Sequence, residues 1–583
     1  MKQKLYKIYG FLHSLKYPSL LKEAVYSIFD ERVEDNRFHM KLAGEWLLYM
    51  QNSDGGYSRK FSFISGKDKS YIETTGYIVP SLINLGEYLN EEKFINSAIK
   101  AGEFLLSIQN SDGSFSEIDT FKPFVFDTGQ CLIGLNFLYE YTKNERYLNA
   151  LKRAAYWLKE VQEDDGSWER FAYNQEKHTY YSRVAAAMLK SAKILEDKEL
   201  ENVALKNIKW VLDNQLKNGF FKYSSFLKSI PAFLHTLMYV LEGLLDVYEI
   251  AKDEEVLKAI LKNSEKFRKI NLNRDLILCS QYNEKFECVN NDRCITGLAQ
   301  WAGVALRIYD ITKDEDYKKC AVNTLFYLKA KQIKNSIMRG GFSASIPFWG
   351  KYGSFDFVNW NNKFFIDSMI LYEKLKLSKL KEQENFVNSA FNISSSVVTD
   401  ELSFMDKKYI GKLKKILPKD KKLKILDVGC GKGVIINELK KEYPLIKFVG
   451  VDPVFSNETI KKGSIYNLPF GDKEFDVVMV FEVLQHTYLD VALKEIYRVL
   501  RQSGKVIIGE RNPISLLGVF KPFFELNGKW MYPFDSPFRE KWYFKNEWID
   551  NLKRAGFEVK SIDVIEGSGK KFVNRYFFIE GVK

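Results

Sequence analysis

The sequence predicts a multidomain protein, an all-α (α/α)6 toroid followed by a Rossmann-like α/β domain. Three observations lead to this prediction. The chain has 583 residues, which is more than one hydrophobic core usually organises. A helical segment recurs four times in the first half of the chain. From Lys424 onward, short apolar strands alternate with helices and surround a glycine-rich turn.

Composition is that of a soluble globular protein. Hydrophobic residues make up 46% and charged residues 28% of the chain, which excludes wholesale disorder. The formal charge of +12 is spread along the sequence, and no block of Lys and Arg is dense enough to form a nucleic-acid-binding arm. We therefore expect a small-molecule or saccharide partner and no nucleic acid.

The compartment is predicted from targeting signals and cysteines. No apolar run reaches the roughly 18 to 20 residues needed to span a bilayer. The opening segment, Met1 to Lys16, lacks the apolar core and cleavage site of a signal peptide. The six cysteines show no CxxC spacing and do not suggest a disulfide framework. A reducing, cytoplasmic compartment is expected.

The repeat of the first half is a helix that ends in a tight turn. Its four copies are WLLYMQNSDGG, FLLSIQNSDGS, WLKEVQEDDGS and WVLDNQLKNGF. Each has an aromatic residue five positions before a glutamine and an Asp-Gly or Asn-Gly pair beginning three positions after it. Glycine in such a turn accepts a positive φ. The glutamines are Gln51, Gln109, Gln162 and Gln215.

A second set of helices is predicted between and beyond these turns, because apolar residues recur there at helical spacing. Six outer helices paired with six inner helices form a toroid, beginning at about residue 36, and we assign residues 1–376 to this domain. The predicted inner helices are Glu73 to Leu89, Phe126 to Thr142, Tyr180 to Leu195, Pro231 to Ile250, Cys294 to Thr312 and Phe357 to Leu375.

The starts of the inner helices supply a candidate pocket. Glu73 and Asp127 are paired carboxylates that would suit acid–base work on a sugar. Alternatively, Glu73 simply favours a helix dipole and Asp127 caps its helix. The other residues at these positions are Thr74, Tyr77, Tyr180, Tyr181, Arg183, His235 and Trp360.

The segment Gln162 to Trp168 (QEDDGSW) resembles the QW motif of the α/α-toroid superfamily. This superfamily includes terpene cyclases, protein prenyltransferases, and polysaccharide lyases and epimerases, and the resemblance covers roughly residues 36–376. It implies the fold more than an activity. The Asp-x-Asp-Asp acid motif of cyclases is missing. Asp292 and Cys294 match the Asp-x-Cys pair of prenyltransferase zinc sites, but no histidine in this half follows them, so no metal is expected.

A polar stretch from Lys376 to Asp400 separates the two halves and indicates a linker or a solvated helix. We assign residues 377–420 to a linker and leading helix, and residues 421–583 to the α/β domain. Predicted strands are Lys424 to Val428, Lys447 to Asp452, Phe475 to Phe481, Lys505 to Glu510, Phe557 to Val564 and Tyr576 to Gly581. Predicted helices are Val434 to Glu442, Asp490 to Leu500 and Lys545 to Ala555.

The first strand of this domain runs into the turn Asp427-Val-Gly-Cys-Gly-Lys-Gly433, whose glycines let the backbone approach a ligand. Asp452 ends the next strand, where it suits two ribose hydroxyls. A dinucleotide-binding turn is G-x-G-x-x-G, whereas Val434 occupies the third glycine position here. Asp427 also disfavours a pyrophosphate and suits a ligand with an amino group.

With these residues the second half resembles class I S-adenosylmethionine-dependent methyltransferases, in their small-molecule branch. Further segments match this family in order: Gly463 to Phe470, Phe475 to His486, Ala492 to Leu500 and Ala555 to Phe557. The resemblance implies S-adenosylmethionine as the cofactor. Its methionine end is implied to lie on Asp427, Gly429, Gly431 and Gly433, and its ribose on Asp452.

The adenine is implied to lie between Ser464, Ile465 and Leu468. The family usually has Asp at the position of Ser464, so a weaker hydrogen bond to the adenine amino group is implied. Glu482 lies at the carboxyl end of its strand, where open α/β sheets bind ligands. His486 is the one histidine suited to take a proton from a hydroxyl acceptor, or it packs beside the cofactor.

The predicted reaction moves a methyl group from S-adenosylmethionine to an acceptor, predicted to be a saccharide oxygen or another acceptor bound with help of the toroid. Two alternatives stay open for the toroid. It is either itself a lyase-, epimerase- or hydrolase-like enzyme, or a glycan-binding scaffold only. The segment Asn512 to Glu540 is predicted to be a lid that selects the acceptor, or else an ordinary aromatic-rich connection.

Overall fold

The chain folds into two compact units, Met1–Leu375 and Lys376–Lys583. A computed structural model describes residues 2–29, 35–273, 277–393, 401–487, 489–512, 525–526, 529–530, 543, 545–566 and 575–583. Within these ranges, no helix is long and apolar enough to cross a membrane.

The first unit confirms the predicted toroid. Its inner helices pack side by side around one apolar core, and the last packs on the first, since the rings of Phe364 and Tyr77 lie 5.9 Å apart. Two leading helices are α1 (Lys2–Ser14) and α2 (Pro18–Phe29). The outer helices are α3 (Asn36–Met50), α5 (Glu92–Ile108), α7 (Glu145–Glu160), α9 (Lys198–Asp213), α11 (Glu254–Asn273) and α13 (Glu315–Lys331). The inner helices are α4 (Ile72–Leu89), α6 (Val125–Thr142), α8 (Ser182–Leu195), α10 (Leu234–Ala251), α12 (Ile295–Thr312) and α14 (Asn359–Ile393).

Short strands and 3-10 turns shape the loops that precede the inner helices. The strands are β1 (Lys60–Ser62), β2 (Gly66–Lys67), β3 (Ala232–Phe233), β4 (Gln281–Tyr282), β5 (Arg293–Cys294), β6 (Ser345–Ile346) and β7 (Asp356–Val358). The 3-10 turns are Tyr173–Gln175 and Thr179–Tyr181. Helix α14 extends through much of the polar stretch that begins at Lys376, so this stretch is a helix up to Ile393.

The four repeated glutamines join the first five outer helices, each to the next one. The side-chain amide of Gln162 donates to the carbonyl of Gly166 in its own turn, at 3.2 Å, and to that of Val203 on α9, at 3.0 Å. Gln51, Gln109 and Gln215 make the same two bonds in their repeats. Both amide protons are therefore satisfied, one locally and one across the helix interface.

The ring is closed by a glutamine that the repeat pattern did not include. Gln332 follows the last outer helix, α13, and its amide donates to the carbonyl of Gly340 at 2.9 Å and to that of His39 on α3 at 3.1 Å. The side chain of His39 also bonds to the Gln332 oxygen, at 2.6 Å. The sixth outer helix is thus fastened to the first by the same amide contact.

One disulfide corrects the cysteine prediction. Cys279 and Cys288 are bonded, with their Cα atoms 5.9 Å apart, whereas the sequence suggested no pairing. The spacing gave no sign of this bond because it depends on the segment folding back on itself. An antiparallel bridge between Tyr282 and Cys288 brings together two cysteines that lie nine positions apart in the sequence. The other cysteines are free thiols.

The second unit contains a seven-stranded sheet in the order β10-β9-β8-β11-β12-β16-β15. One strand, β16, runs in the opposite direction to the others and is antiparallel to both β12 and β15. This confirms the Rossmann-like prediction. Its strands are β8 (Lys424–Val428), β9 (Lys447–Asp452), β10 (Ile460–Lys462), β11 (Phe475–Phe481), β12 (Leu500–Arg511), β15 (Glu558–Glu566) and β16 (Arg575–Val582), with a separate pair β13 (Glu525–Leu526) and β14 (Lys529–Trp530). The helices are α15 (Phe404–Ile416), α16 (Val434–Lys440), α17 (Leu489–Val499) and α18 (Lys545–Arg554).

The turn glycines of the toroid provide a stability test. Gly166 has φ +89°, and a Cβ there would lie 2.6 Å from the carbonyl oxygen of Lys206. Gly66 shares the positive φ, +77°, but its nearest neighbour would be 3.9 Å away. We expect Gly66→Ala to lower the free energy of unfolding by about 1–2 kcal/mol. Gly166→Ala is expected to lower it by a further ~1–3 kcal/mol through the clash. Denaturant unfolding measures both, and equal losses would contradict this account.

Candidate functional sites

Carboxylates mark the carboxyl edge of the parallel sheet in the second unit. Asp427 and Asp452 lie at the ends of β8 and β9, Glu482 follows β11, and Glu510 lies near the end of β12. These four strands are neighbours in the sheet. Ligands of open α/β sheets bind at this edge. The edge is therefore suited to a ligand that carries positive charge.

The glycine-rich turn after β8 uses backbone angles that favour glycine. Gly429, Gly431 and Gly433 have φ values of +72°, +54° and +81°. A Cβ on Gly429 would collide with the side chain of Val483, so the close approach of the loop after β11 also requires glycine. Cys430 fills the space beside Gly450, where it packs as a small apolar side chain.

Asp452 holds this turn in place. Its carboxylate accepts from the amide of Gly431 at 2.9 Å, and from those of Val454 and Phe455 at 2.9 and 3.0 Å. A carboxylate offers about four acceptor positions. One is left for a ribose hydroxyl, rather than the two that the sequence suggested.

Asp427 is the carboxyl that most needs a ligand. It is 4% exposed, and its carboxyl group has no hydrogen-bond partner in the described part of the chain. Burial, followed by the charges of Asp406 and Asp452, raises the pKa of Asp427 to about 8. An amino group placed beside it would supply the missing bond and favour the ionised form.

Glu510 was not selected from the sequence. It is buried, and its carboxylate accepts from the amide of Leu484 at 2.6 Å, which fixes the loop that follows β11. Burial raises the pKa of Glu510 to about 8. Its other oxygen has no partner in the described structure. The available signal was an acid closing an apolar strand, the same pattern that indicated Asp427 and Asp452.

The remaining predicted residues of this unit lie around the same edge. The Ser464 hydroxyl accepts from the amide of Tyr466 at 3.1 Å, and Ile465 is half-buried. Leu468 is in the core. Glu482 has φ +55°, and its carboxylate lies 3.8 Å from the Arg511 guanidinium.

Two predictions fall on parts that the structure does not describe. The backbone of His486 ends the 3-10 turn Leu484–His486, but its side chain is outside the described residues. Most of the predicted lid, residues 513–524, 527–528 and 531–540, is outside them as well. The base and the lid therefore stay predictions.

The first unit contains a cavity of about 300 Å³ at the starts of the inner helices. Its polar lining includes Glu73, Asn174 and His235. Its other lining residues are aromatic: Tyr71, Phe126, Tyr173, Tyr180, Phe226, Tyr239, Tyr352 and Trp360. Of the residues predicted for this pocket, Glu73, Tyr180, His235 and Trp360 line it.

Glu73 and Asp127 do not face the cavity together. Glu73 lines it, whereas Asp127 lies behind Tyr173, whose hydroxyl donates to the Asp127 carboxyl. Burial raises the pKa of Glu73 to about 7. Burial and the nearby Glu73 raise the pKa of Asp127 well above its ordinary value. Both carboxyls are thus harder to ionise than exposed ones, and Glu73 is about half ionised at pH 7.

A buried polar chain supports the cavity from one side. Arg183 donates to Glu242 at 2.6 Å, and Gln300 links the same carboxylate to the ring of His235, at 2.9 and 2.7 Å. Burial lowers the pKa of His235 to about 3, so this ring is neutral. The other predicted residues, Thr74, Tyr77 and Tyr181, are buried in the surrounding core.

The Asp-x-Cys pair has structural partners. Asp292 accepts from the amide of Lys351 at 2.6 Å, and Cys294 directly precedes α12. Among the described residues, no group of His, Cys, Asp and Glu is placed to hold a metal ion.

Family comparisons agree with the two folds. Residues 426–508 match the family described as methyltransferase domain, and residues 64–239 match the squalene-hopene cyclase C-terminal domain. Both resemblances predicted from the sequence are confirmed. The first unit is an α/α toroid and the second is a methyltransferase domain, whose cofactor is S-adenosylmethionine.

Several curated proteins are similar to part of this chain. An uncharacterised methyltransferase of Schizosaccharomyces pombe is 37% identical over 114 residues, which are 16% of this chain and 41% of that protein. A demethylmenaquinone methyltransferase of Anoxybacillus flavithermus is 31% identical over 102 residues, 17% and 42% of the two chains. A probable S-adenosylmethionine-dependent methyltransferase of Mycolicibacterium smegmatis is 27% identical over 155 residues, 25% and 56%. The chain spans about half the length of the curated relatives it matches.

Two solved structures are similar to this chain in fold. An unsaturated glucuronyl hydrolase specific for heparin has a TM-score of 0.49 at 15% identity, covering 58% of this chain and 97% of its own. A methyltransferase of Thermotoga maritima, described as a possible histamine N-methyltransferase, has a TM-score of 0.26 at 22% identity, covering 34% and 99%.

Glu510 makes the stability of the methyltransferase domain depend on pH. Its folded pKa, about 8, lies above the ordinary 4.5, so the folded state binds the proton more tightly and stability falls as pH rises between these values. In the wild-type protein this effect lowers the free energy of unfolding by on the order of 2–4 kcal/mol as the pH rises from the lower pKa to the higher one, and we expect Glu510→Gln to abolish that decrease. Denaturant unfolding at several pH values measures it. The exposed variant Glu458→Gln should keep the wild-type slope, and an unchanged slope in Glu510→Gln would refute this role.

Proposed function

We propose that this protein transfers a methyl group from S-adenosylmethionine to a hydroxyl acceptor, a saccharide oxygen. One observation carries the proposal: carboxylates end four neighbouring strands around a glycine turn. The cofactor brings a sulfonium and an amino group, both positive, to this acidic edge. A dinucleotide would instead place its pyrophosphate there, against the same charges.

The residues present fit this cofactor. Asp427, buried and without a partner in the described structure, would hold the amino group, and the turn of Gly429 and Gly431 the carboxylate beside it. Asp452 keeps one acceptor position for the ribose. When bound, the cofactor supplies an electrophilic methyl group. The chain's own work is then to align the acceptor and exclude water.

The acceptor belongs to the proposal. A hydroxyl must lose its proton as the methyl group is transferred, and His486 is proposed as the base. A saccharide is supported by the aromatic cavity of the toroid, because sugar rings stack on aromatic faces and hydrogen-bond to tyrosine hydroxyls. The cytoplasm is the proposed compartment, which the free thiols of Cys131, Cys294, Cys320 and Cys430 support, whereas the Cys279–Cys288 disulfide is the type of bond that oxidising compartments favour.

Calorimetric titration tests the cofactor. We expect S-adenosylmethionine to bind with release of a proton at pH 7, because the pKa of Asp427, about 8, must fall beside an ammonium group. Asp427→Asn should weaken binding roughly 10- to 100-fold and abolish the release. Titrations in buffers of different ionisation enthalpy measure both effects. The exposed variant Asp550→Asn is the control.

Two results would reject the cofactor assignment. One is a folded protein that does not bind S-adenosylmethionine. The other is a protein that prefers a nicotinamide dinucleotide in the same titration.

A second candidate function is acid–base catalysis by the toroid itself. The observation that favours it is Glu73, which lines the cavity with a pKa raised by burial to about 7, where a group can both give and take a proton near neutral pH. In this case the protein is bifunctional, with a hydrolase-, lyase- or epimerase-like toroid. Otherwise the toroid binds the saccharide only.

The second function is separable from the first. In a background disabled by Asp427→Asn, we expect Glu73→Gln to lower any turnover of glycans at least about 100-fold. Product analysis by mass spectrometry measures it, with the exposed variant Glu103→Gln as control. Turnover that is unchanged by Glu73→Gln, or absent in the parent protein, leaves a toroid that only binds.

A further inference from the structure

Resting on the saccharide-binding role proposed above, we propose that the toroid cavity binds an uncharged sugar ring. Glu73 and Tyr173 are two of the polar groups that line this cavity. Asp127, which the sequence paired with Glu73, is a positioning residue that acts through Tyr173.

A chain of hydrogen bonds links these groups. Tyr71 and Tyr239 bond to the Glu73 carboxyl, the latter at 3.5 Å. The hydroxyls of Tyr71 and Tyr173 lie 3.3 Å apart, and Tyr173 donates to Asp127. Of the two carboxyls only Glu73 reaches the cavity wall. A ligand hydroxyl therefore meets Asp127 only by way of the Tyr173 oxygen.

The charges around the cavity favour a neutral ligand. No Lys or Arg is among the described residues that line it. The nearest buried cation, Arg183, is bonded to Glu242 at 2.6 Å and Gln130 at 3.1 Å, and it lies over the ring of Tyr239. His235 is neutral because burial lowers its pKa. A uronate or phosphate would place an unpaired anion beside Glu73, which is strongly unfavourable in a buried site.

Polar groups in the wall also disfavour a hydrocarbon. The hydroxyl of Tyr180 is buried and has no partner in the described structure. An apolar ligand would leave this hydroxyl without a partner, at a cost of about 1–3 kcal/mol. A sugar supplies both donors and acceptors, while its ring faces stack on aromatic walls such as that of Trp360. A quaternary ammonium is the remaining rival for an aromatic box with a carboxyl group.

The ligand class is tested by saturation-transfer NMR and calorimetry on the full chain. The probes are methyl glycosides of glucose, galactose and mannose, methyl glucuronide, and choline. We expect at least one neutral glycoside to bind at least about tenfold more tightly than glucuronide or choline, and Trp360→Ala to weaken it about tenfold. Tighter binding of glucuronide or choline, or no binding of any neutral glycoside to folded protein, would overturn the inference.

The role of Glu73 is tested by the pH profile of binding. The pKa of Glu73 is raised to about 7, and its ionised form is the better acceptor for a sugar hydroxyl. We expect affinity for the bound glycoside to rise several-fold between pH 6 and 8, and Glu73→Gln to flatten the profile. A purely structural Glu73 would leave the pH dependence in place, and that result counts against the inference.

The positioning role of Asp127 is tested by a double-mutant cycle. We expect Asp127→Asn and Tyr173→Phe each to weaken sugar binding, and their combination to be no weaker than Tyr173→Phe alone. Tyr180→Phe removes a hydroxyl that does not belong to this hydrogen-bond chain. The fold-losses in sugar affinity of Tyr180→Phe and Asp127→Asn should therefore multiply in the double variant. If the losses of sugar affinity caused by Asp127→Asn and Tyr173→Phe multiply, Asp127 does not act through Tyr173. If Asp127→Asn does not fold, a Tyr173→Phe protein with wild-type sugar affinity overturns it equally.

Titration of S-adenosylmethionine into the same samples separates this inference from the proposed methyl transfer. Loss of cofactor binding with sugar binding intact rejects the methyltransferase proposal alone. Cofactor binding without binding of any neutral glycoside rejects the inference alone.

Discussion

Five of the six outer helices of the toroid are followed by a glutamine whose amide nitrogen donates to two carbonyls, one in its own turn and one on the adjacent outer helix. The contact needs a backbone that comes close enough for both bonds, and this is why glycine follows at a positive φ with a neighbouring carbonyl pressed against its Cα. Losing the amide would remove this link between adjacent outer helices, while the turn carbonyls of Gly166 and Gly219 would keep a second donor, Asn207 and Asn263. The spacing of the outer helices is thereby fixed, and with it the loops that bring the inner-helix starts around one cavity.

Both units use buried carboxyl groups, but they arrange them differently. In the sheet, Asp427 has no hydrogen-bond partner among the described residues, and the charges beside it are those of Asp406 and Asp452, which are also carboxylates. In the toroid, Glu73 and Asp127 are each bonded to a tyrosine, so both carboxyls already belong to a hydrogen-bond network. The same type of side chain thus behaves differently in the two units, because its surroundings differ. The carboxyl of Asp427 lacks a hydrogen-bond partner within the described ranges, whereas those of Glu73 and Asp127 share hydrogen bonds with tyrosines.

The sequence was informative where local chemistry is repeated or obligatory. The Gln-x-x-Asp-Gly turns and the strand that enters the Asp427 turn predicted both folds, because glycine and helical or strand periodicity leave few alternatives. The sequence did not predict contacts between residues that only the fold brings together. The screening of Asp127 by Tyr173 crosses 46 residues, and the Cys279–Cys288 bond needs a fold-back that no spacing rule encodes. Glu510 carried the strand-end signal, but only its burial shows that it fixes a loop.

The bond between Gln332 and His39 spans 293 positions of the chain. A growing polypeptide can assemble each earlier helix pair on its predecessor as it leaves the ribosome, whereas the circle stays open until Gly340 has been synthesised. Its last joint is therefore the one with the greatest loop entropy to overcome. Until then, the first and final outer helices each expose an apolar side that the closed ring would cover. During this part of its synthesis the chain is most prone to associate with itself or with a chaperone.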